Sequence, residues 1–259
     1  MKPMSTIETN ISNIYEKVRH LVGTEYNGAF VPEKISSGLA QEIHEQYGVI
    51  VPADYFMPAF WLKEVPLYPD ANDFLLKLGQ QENSLSVIFT QGQVFDKDLL
   101  GDRENLGFQN HKIQVSGIPW YFSKSHHDQL KKRKLSLVYG GFNKTDKEIL
   151  MPILETVNEL QLKAAYFDDL PKNLDEVGSF FRENNTPIDL FFVNRAGKEY
   201  KEGPLPATEI QTFADVAVES LDQSLVMLDY DGTVGDSVFM RNYLQQEVLK
   251  YASLLLKDI

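Results

Sequence analysis

The chain has no cysteine and fewer basic than acidic residues. Without cysteine it has no disulfide, no thiolate metal site and no cysteine nucleophile. Its 25 lysines and arginines face 37 aspartates and glutamates, which gives a formal net charge of −12. General nucleic-acid binding needs a basic surface that displaces counterions, so we expect no nucleic-acid partner.

The chain also lacks a long apolar run and an apolar leader. No stretch of about 18 apolar residues occurs, so we expect no spanning helix and no membrane partner. Residues 1–10 have no apolar core, so we expect no signal peptide. The absence of cysteine agrees with a cytoplasmic location. The 259 residues suit one large domain or a core with a smaller second unit.

Helical and strand patterns alternate from residue 65 onward, whereas residues 10–64 have helical spacing throughout. The predicted strands are 84–89, 136–139, 164–167, 189–193 and 225–228. The predicted helices are 69–78, 147–160, 174–183, 208–221 and 240–256. Strands separated by helices predict an α/β fold with a parallel, Rossmann-like sheet that has helices on both faces.

Two segments allow both a structural and a functional interpretation. The aromatic stretch 55–61 is typical of packing between helices, although a substrate-facing wall is the alternative. His126 and His127 precede a basic run, residues 131–134, and we interpret this region as a solvated loop and helix end rather than a metal site. Contact of the basic run with an anionic substrate or partner remains the alternative.

Carboxylates follow two of the predicted strands. Asp229 and Asp231 come after the last strand, and side chains two residues apart in extended backbone point to the same side. Asp168 and Asp169 end another strand. Functional residues of parallel sheets collect at the carboxyl ends of the strands, and carboxylate oxygens are the ligands that Mg²⁺ prefers. We therefore expect these acidic residues to form one site.

Groups that bind phosphate follow the other strands. Thr90 ends the first predicted strand, and the backbone amides of Gln91 and Gly92 come directly after it. Lys144 and Lys147 lie at the start of the helix 147–160. A hydroxyl, free amides and a lysine are typical phosphate ligands, so these residues are candidates for substrate binding.

The combined set resembles the haloacid dehalogenase superfamily of phosphohydrolases. The run Asp229-Tyr230-Asp231-Gly232-Thr233-Val234-Gly235-Asp236-Ser237 is similar to the family's first motif, in the form of its phosphoglycolate-phosphatase-like branch. Thr90 matches the second motif, a lysine matches the third, and Tyr166-Phe167-Asp168-Asp169 matches the fourth. The resemblance covers most of the chain.

The order of these motifs departs from the family. The family's order is first motif, cap, then second, third and fourth, whereas here the first motif comes last. The resemblance therefore implies a circular permutation. On this interpretation residues 1–64 plus 238–259 form a helical cap, and residues 65–237 form the catalytic core. The alternative is that the last motif belongs to a truncated second domain or completes a neighbouring chain.

The resemblance also implies roles for the carboxylates. Asp229 would be the nucleophile and a metal ligand. Asp231 would be the general acid/base and would bind the metal through its backbone carbonyl. Asp169 would be the main further Mg²⁺ ligand, with Asp168 alongside.

Roles for the remaining candidates follow in the same way. Thr90 would hydrogen-bond the phosphoryl group. The third-motif lysine is ambiguous between Lys147 and Lys144; Lys147 is preferred because it opens its helix, as the family's lysine does.

The implied activity is Mg²⁺-dependent hydrolysis of a phosphomonoester through an aspartyl-phosphate, with a small phosphorylated substrate. Two alternatives remain: a non-catalytic protein of the same fold that binds phosphate or protein, and a phosphatase acting on phosphoproteins. The sequence carries no signal for substrate identity or oligomeric state.

Overall fold

A computed structural model describes residues 9–18, 32–52, 54–60, 66–91, 108–141, 143–195, 197 and 205–256. The chain forms two compact units. One contains residues 1–63 and 238–259, and the other contains residues 64–237. No helix in the described parts of the chain is long and apolar enough to cross a membrane.

The helices and strands are numbered in chain order. The helices are α1 (9–18), α2 (Pro32–Tyr47), α3 (Met57–Phe60), α4 (Pro69–Gly79), α5 (Phe108–Val115), α6 (Lys124–Lys132), α7 (Lys147–Leu160), α8 (Pro171–Glu183) and α9 (Ser237–Leu255). The strands are β1 (Leu85–Gln91), β2 (Val138–Gly141), β3 (Lys163–Asp168), β4 (Ile188–Val193), β5 (Thr208–Ile210) and β6 (Ser224–Leu228).

The larger unit contains one six-stranded sheet in the order β2-β1-β6-β3-β4-β5. Every neighbouring pair of strands is parallel. The predicted α/β fold with a parallel sheet is confirmed. The strand that precedes Asp229, β6, is fully buried between β1 and β3, because its five residues are apolar or small and both of its faces are covered.

The prediction of a helix over residues 208–221 is wrong. Thr208–Ile210 is an edge strand, in register with Phe191–Val193 of β4. Two short 3₁₀ turns follow, at Phe213–Asp215 and Val218–Leu221. The Asp215 carboxylate accepts hydrogen bonds from the backbone N–H groups of Gln211 and Thr212, which turns the chain before a helix can form.

Aromatic side chains fill the layer between the sheet and the elements on one of its faces. Phe167 of β3 stacks on Phe191 of β4, with ring centroids 4.3 Å apart. Phe74 of α4 stacks on Phe213 at 4.4 Å. This packing buries the strands that precede the acidic residues, so their ends are held in place by a rigid core.

In the smaller unit, the described part of the aromatic stretch 55–61 packs as a core. Phe56, Ala59 and Phe60 are buried. Tyr55 lies edge-on to Phe56 and to Tyr251 of α9. Trp61 lies outside the described residues. These contacts agree with the packing interpretation for residues 55–60.

Two segments run side by side where the chain enters and leaves the larger unit. The Asp236 N–H donates to the Pro66 carbonyl, and the Tyr68 N–H donates to the Val234 carbonyl, both at 3.0 Å. The turn that follows Asp229 is thus fixed to the segment that leads into α4.

His126 is not solvated, contrary to the expectation for this region. It lies on α6, is 9% exposed, and its Nε2 is 3.0 Å from the Ser86 carbonyl of β1. Pairing of β1 with β2 begins at Ile88, so the edge of β1 at Ser86 is open to the imidazole. Burial lowers the pKa of His126, which favours the neutral ring.

Candidate active site

Strand register brings the two acidic segments together. Phe167 of β3 is paired with Leu228 of β6, and the next residues are Asp168 and Asp229. The Asp229 N–H donates to the Phe167 carbonyl at 2.9 Å. Because the two aspartates follow paired residues by one position, they lie next to each other at the carboxyl edge of the sheet.

A buried lysine bridges these aspartates. Lys144 Nζ lies 2.8 Å from Asp229 Oδ1 and 2.6 Å from Asp168 Oδ2, and the lysine side chain is 2% exposed. Nζ also lies 3.5 Å from the Phe89 carbonyl of β1. Lys144 therefore joins three neighbouring strands, β1, β6 and β3, at one point.

A short polar turn directs Lys144 into this position. The Asn143 side-chain carbonyl accepts from Thr145 Oγ1 at 2.7 Å, and Asn143 Nδ2 donates to Asp146 Oδ1 at 2.8 Å. The turn ends at Asp146, the residue before α7. Lys144 consequently points inward before the helix begins.

Protein donors surround the Asp168 carboxylate. Asn173 Nδ2 lies 3.2 Å and 3.1 Å from the two oxygens, and the Leu170 N–H donates to Oδ1 at 2.8 Å. The Tyr166 hydroxyl and Lys144 contact Oδ2. Both oxygens of Asp168 are therefore engaged by protein donors, and Lys144 is one of them.

The second acidic residue of this pair, Asp169, packs against the turn that follows Asp229. Gly232 has φ +78°, and a Cβ atom there would lie 2.7 Å from Asp169 Oδ2. A glycine at position 232 is therefore required both by its backbone conformation and by the close approach of the Asp169 carboxylate.

Three carboxylates are placed as a metal site would need them. One oxygen each of Asp168, Asp169 and Asp229 lies within 4.8 Å of the others. An all-oxygen set suits Mg²⁺. Three carboxylates, two of them buried, against the single ammonium of Lys144 leave an excess of negative charge, which a divalent cation would neutralise. The residues present thus fit this ion.

Burial and the neighbouring charges shift the pKa values of Asp229 and Lys144. Burial raises the pKa of Asp229 well above its usual range; Asp168 and Asp169 raise it further, and Lys144 opposes them. Burial alone would lower the pKa of Lys144, but Asp168 and Asp229 hold it above its usual value. The lysine therefore stays charged beside the carboxylates.

Asp231 lies in a different environment. Its carboxylate is 36% exposed, and Lys112 Nζ of α5 lies 2.7 Å from Oδ1 and 2.6 Å from Oδ2. Gln109 Nε2 of the same helix is 3.4 Å from Oδ2. Asp229 and Asp231 are thus each in contact with a different lysine.

Arg195 connects the turn that follows Asp229 to α4 through an ion pair and a backbone hydrogen bond. Arg195 makes two contacts with Asp70 of α4, at 3.0 Å and 2.9 Å. Arg195 Nε donates to the Thr233 carbonyl at 3.0 Å. The guanidinium also lies over the Tyr68 ring, 3.9 Å from its centroid. Thr233 itself is buried, and its hydroxyl is 3.5 Å from Asp229 Oδ2.

The preference for Lys147 as the lysine of the site needs correction. Lys147 is the first residue of α7 and its side chain is exposed, whereas Lys144 contacts Asp168 and Asp229. The helical pattern located the start of α7 correctly. The inward-facing lysine lies in the turn before it, where a residue reaches the strand ends more directly.

The remaining phosphate-binding candidates lie at the end of β1. Thr90 is buried, in register with Gly140 of β2, and Gln91 is the last residue of the strand. Ile88 is paired with Leu228, so Thr90 lies level with the residues that follow β6. Gly92 lies outside the described residues.

Sequence reasoning missed several residues that hold the carboxylates. Asn173 could have been found from the sequence. It lies in the first turn of α8, five residues after Asp168, where its side chain can reach that carboxylate. For Lys112 there was no local signal, since its partner Asp231 is 119 residues away. Arg195 and Gln109 are likewise recognisable only from contacts between distant segments.

Comparison with protein-family models, curated proteins and solved structures finds no match to this chain.

Proposed function

We propose that this protein is a Mg²⁺-dependent phosphomonoester hydrolase that acts through an aspartyl-phosphate on Asp229. The observation that carries the proposal is the meeting of Asp229, Asp168, Asp169 and Lys144 at the carboxyl edge of a parallel sheet. The lysine comes from a segment 85 residues away from Asp229. Motif resemblance to the haloacid dehalogenase superfamily supports the same chemistry.

Asp229 is the proposed nucleophile because Lys144 contacts one of its oxygens and the other lies 3.5 Å from the Thr233 hydroxyl, whereas both oxygens of Asp168 accept close hydrogen bonds from protein donors. Attack on phosphorus breaks the bond to the leaving group and leaves a phosphoryl group on Asp229. The Lys144 ammonium would balance charge on the phosphoryl oxygens, and the Thr90 hydroxyl would hydrogen-bond to them.

Asp231 is the proposed acid and base. It gives a proton to the departing oxygen and then takes one from the water that hydrolyses the aspartyl-phosphate. Its partial exposure supports this role, because a leaving group and water could reach it, unlike Asp168, which is 0% exposed.

Asp229 and Asp169 would hold Mg²⁺, with the Asp231 carbonyl and Asp168 as the remaining candidates. When bound, the ion would neutralise charge on the phosphoryl group and on the carboxylates. The resemblance further suggests a circularly permuted chain in which the smaller, helical unit is the cap and the substrate is a small phosphate ester. The closeness of Asp229 and Asp169 within one chain supports this interpretation over completion of the site by a neighbouring chain.

The test is hydrolysis of 4-nitrophenyl phosphate with and without Mg²⁺. We expect Asp229→Asn to lower kcat by about 10³-fold or more, because the amide cannot form the intermediate. Chelation of the metal should abolish turnover of the unchanged protein. The matched control is Asp189→Asn, an exposed aspartate in β4 that should leave kcat unchanged.

Turnover by Asp229→Asn at the original rate would contradict the assignment of the nucleophile. Binding of Mg²⁺ in calorimetry, without turnover of a panel of phosphate esters, would instead favour a phosphate-binding protein.

A further inference from the structure

In the part of the larger unit that the structure describes, Lys112 is buried as Lys144 is, and it has no place in the motifs. It lies on α5, and its side chain is 1% exposed. Its ammonium contacts both carboxylate oxygens of Asp231, at 2.7 Å and 2.6 Å. A lysine that only balanced surface charge would lie in water, so this placement calls for another explanation.

The surroundings of Lys112 restrict it to one position. Its Nζ lies over the Tyr230 ring, 4.8 Å from the centroid, so the residue before Asp231 also contacts the ammonium. Gln109, one turn earlier on α5, places its Nε2 3.4 Å from Asp231 Oδ2. One helix therefore approaches the Asp231 carboxylate with two donors from the same side.

Burial of an ammonium opposes stability, and an apolar side chain at position 112 would avoid that penalty. Asp231, in contrast, is exposed enough to be solvated without a partner. The pair is thus poorly explained as a device for folding alone. Its geometric result is a carboxylate with one defined orientation, two residues after Asp229.

We propose that Lys112 is a positioning residue that fixes the Asp231 carboxylate for proton transfer to the leaving group. The inference rests on the proposed phosphatase activity and deepens it. As the P–O bond to the leaving group breaks, the departing oxygen takes the proton of the Asp231 carboxyl group, and the Lys112 ammonium stabilises the carboxylate left behind. In hydrolysis of the intermediate, the same carboxylate takes a proton from the attacking water and the Asp229 carboxylate is released.

The test compares two esters that differ in their need for an acid. 4-Nitrophenolate leaves readily without a proton, whereas phenolate is a stronger base and depends more on one. For Lys112→Met we expect kcat/KM, which reports the step that releases the leaving group, to fall at least about tenfold more with phenyl phosphate than with 4-nitrophenyl phosphate. KM should change little for either ester. Asp231→Asn should show the same selectivity, and the exposed Lys77→Met on α4 should show none.

An equal loss of kcat/KM with both esters would overturn the proposal, because kcat/KM reports the step that releases the leaving group and a general disturbance of the site does not distinguish leaving groups. A rise in KM alone would also overturn it and would assign Lys112 to phosphate binding. Increased turnover by Lys112→Met would show that the lysine restrains Asp231 rather than positions it.

A double-mutant cycle on urea unfolding makes the test independent of catalysis. Asp231→Asn leaves a buried ammonium without its carboxylate, so the Lys112→Met/Asp231→Asn variant should have a folding equilibrium constant at least about tenfold above the value expected from the two single variants. Additive losses would contradict the pair itself. If the unchanged protein hydrolyses neither ester, the proposed function fails, and the positioning role fails with it, even where the cycle shows coupling. If Asp229→Asn alone abolishes turnover and Lys112→Met shows no selectivity, only the present inference fails.

Discussion

Asp229 and Asp231 lie two residues apart, and each has a buried lysine against it, yet the two pairs differ in what surrounds the carboxylate. Lys144 lies between two carboxylates that are 10% and 0% exposed, whereas the partner of Lys112 is 36% exposed. If Lys112 is removed, water can solvate the Asp231 carboxylate. If Lys144 is removed, the carboxylates of Asp168 and Asp229 are left largely shielded from water. The stability that a protein loses when a buried lysine is removed should therefore depend on how exposed the partner carboxylate is.

The largest loss of stability is expected when the contacts of Lys144 with its two carboxylates are removed. Lys144→Met should lower the free energy of unfolding by about 3 kcal/mol, because two buried carboxylates lose their counterion. Lys112→Met should lower it by about 1 kcal/mol or less, because water reaches Asp231 and because an apolar side chain avoids the cost of burying the ammonium. Urea unfolding at neutral pH measures both. Lys147→Met is the matched control and should stay within about 0.5 kcal/mol of the unchanged protein.

Equal losses for Lys144→Met and Lys112→Met would contradict the difference in solvation between the two pairs. A large loss of unfolding free energy for Lys147→Met would favour Lys147, the lysine that the sequence predicted, as the partner of the buried carboxylates.

An intermediate effect tests how the turn after Asp229 holds Asp169. Gly232→Ala should destabilise the protein by about 1–2 kcal/mol from its positive φ, and it also forces a methyl group against the Asp169 carboxylate. We expect Mg²⁺ affinity to fall about tenfold, because that carboxylate must move. Calorimetric titration with Mg²⁺ measures this.

Gly197 provides a matched control for the glycine. It has φ +61°, and a Cβ atom there would meet nothing within 4 Å, so Gly197→Ala carries the backbone strain without the contact. Both variants should be destabilised, and only Gly232→Ala should bind Mg²⁺ more weakly. A similar affinity for both would place Asp169 outside the metal site.

The smallest effect concerns Asp70, which anchors the turn through Arg195. Burial alone would raise the pKa of Asp70, but the Arg195 hydrogen bonds and charge and the Phe213 N–H lower it overall. Because the folded state binds its proton less tightly than the unfolded state, this contribution is present above about pH 4 and is lost as pH falls through the lower folded pKa.

Asp70→Asn should therefore reduce the acid dependence of stability between about pH 5 and pH 2, by about 1 kcal/mol or less because solvent screens the pair. Urea midpoints across that range measure the change. Asp73→Asn, at an exposed position of α4, should retain the acid dependence of the unchanged protein. A steeper acid dependence in Asp70→Asn would contradict the direction of the pKa shift.

Local sequence pattern predicted the elements that carry the acidic residues. The helix over 147–160 is observed with the same bounds, and the apolar run before Asp229 is the strand β6. Both elements have strong periodicity and clear ends. The segment 208–221 failed because its capping interaction, between Asp215 and the backbone of Gln211 and Thr212, produces a turn where the apolar spacing suggested a helix.

The sequence by itself determined which carboxylates end the buried strands, because side-chain alternation and apolar runs are local properties. Only the tertiary structure decided which lysine meets which carboxylate. The contacts of Lys144 with Asp229 and of Lys112 with Asp231 join segments 85 and 119 residues apart, through strand register and helix placement. No local pattern encodes that meeting, since the burial of the two lysines arises only when the sheet and its covering helices assemble.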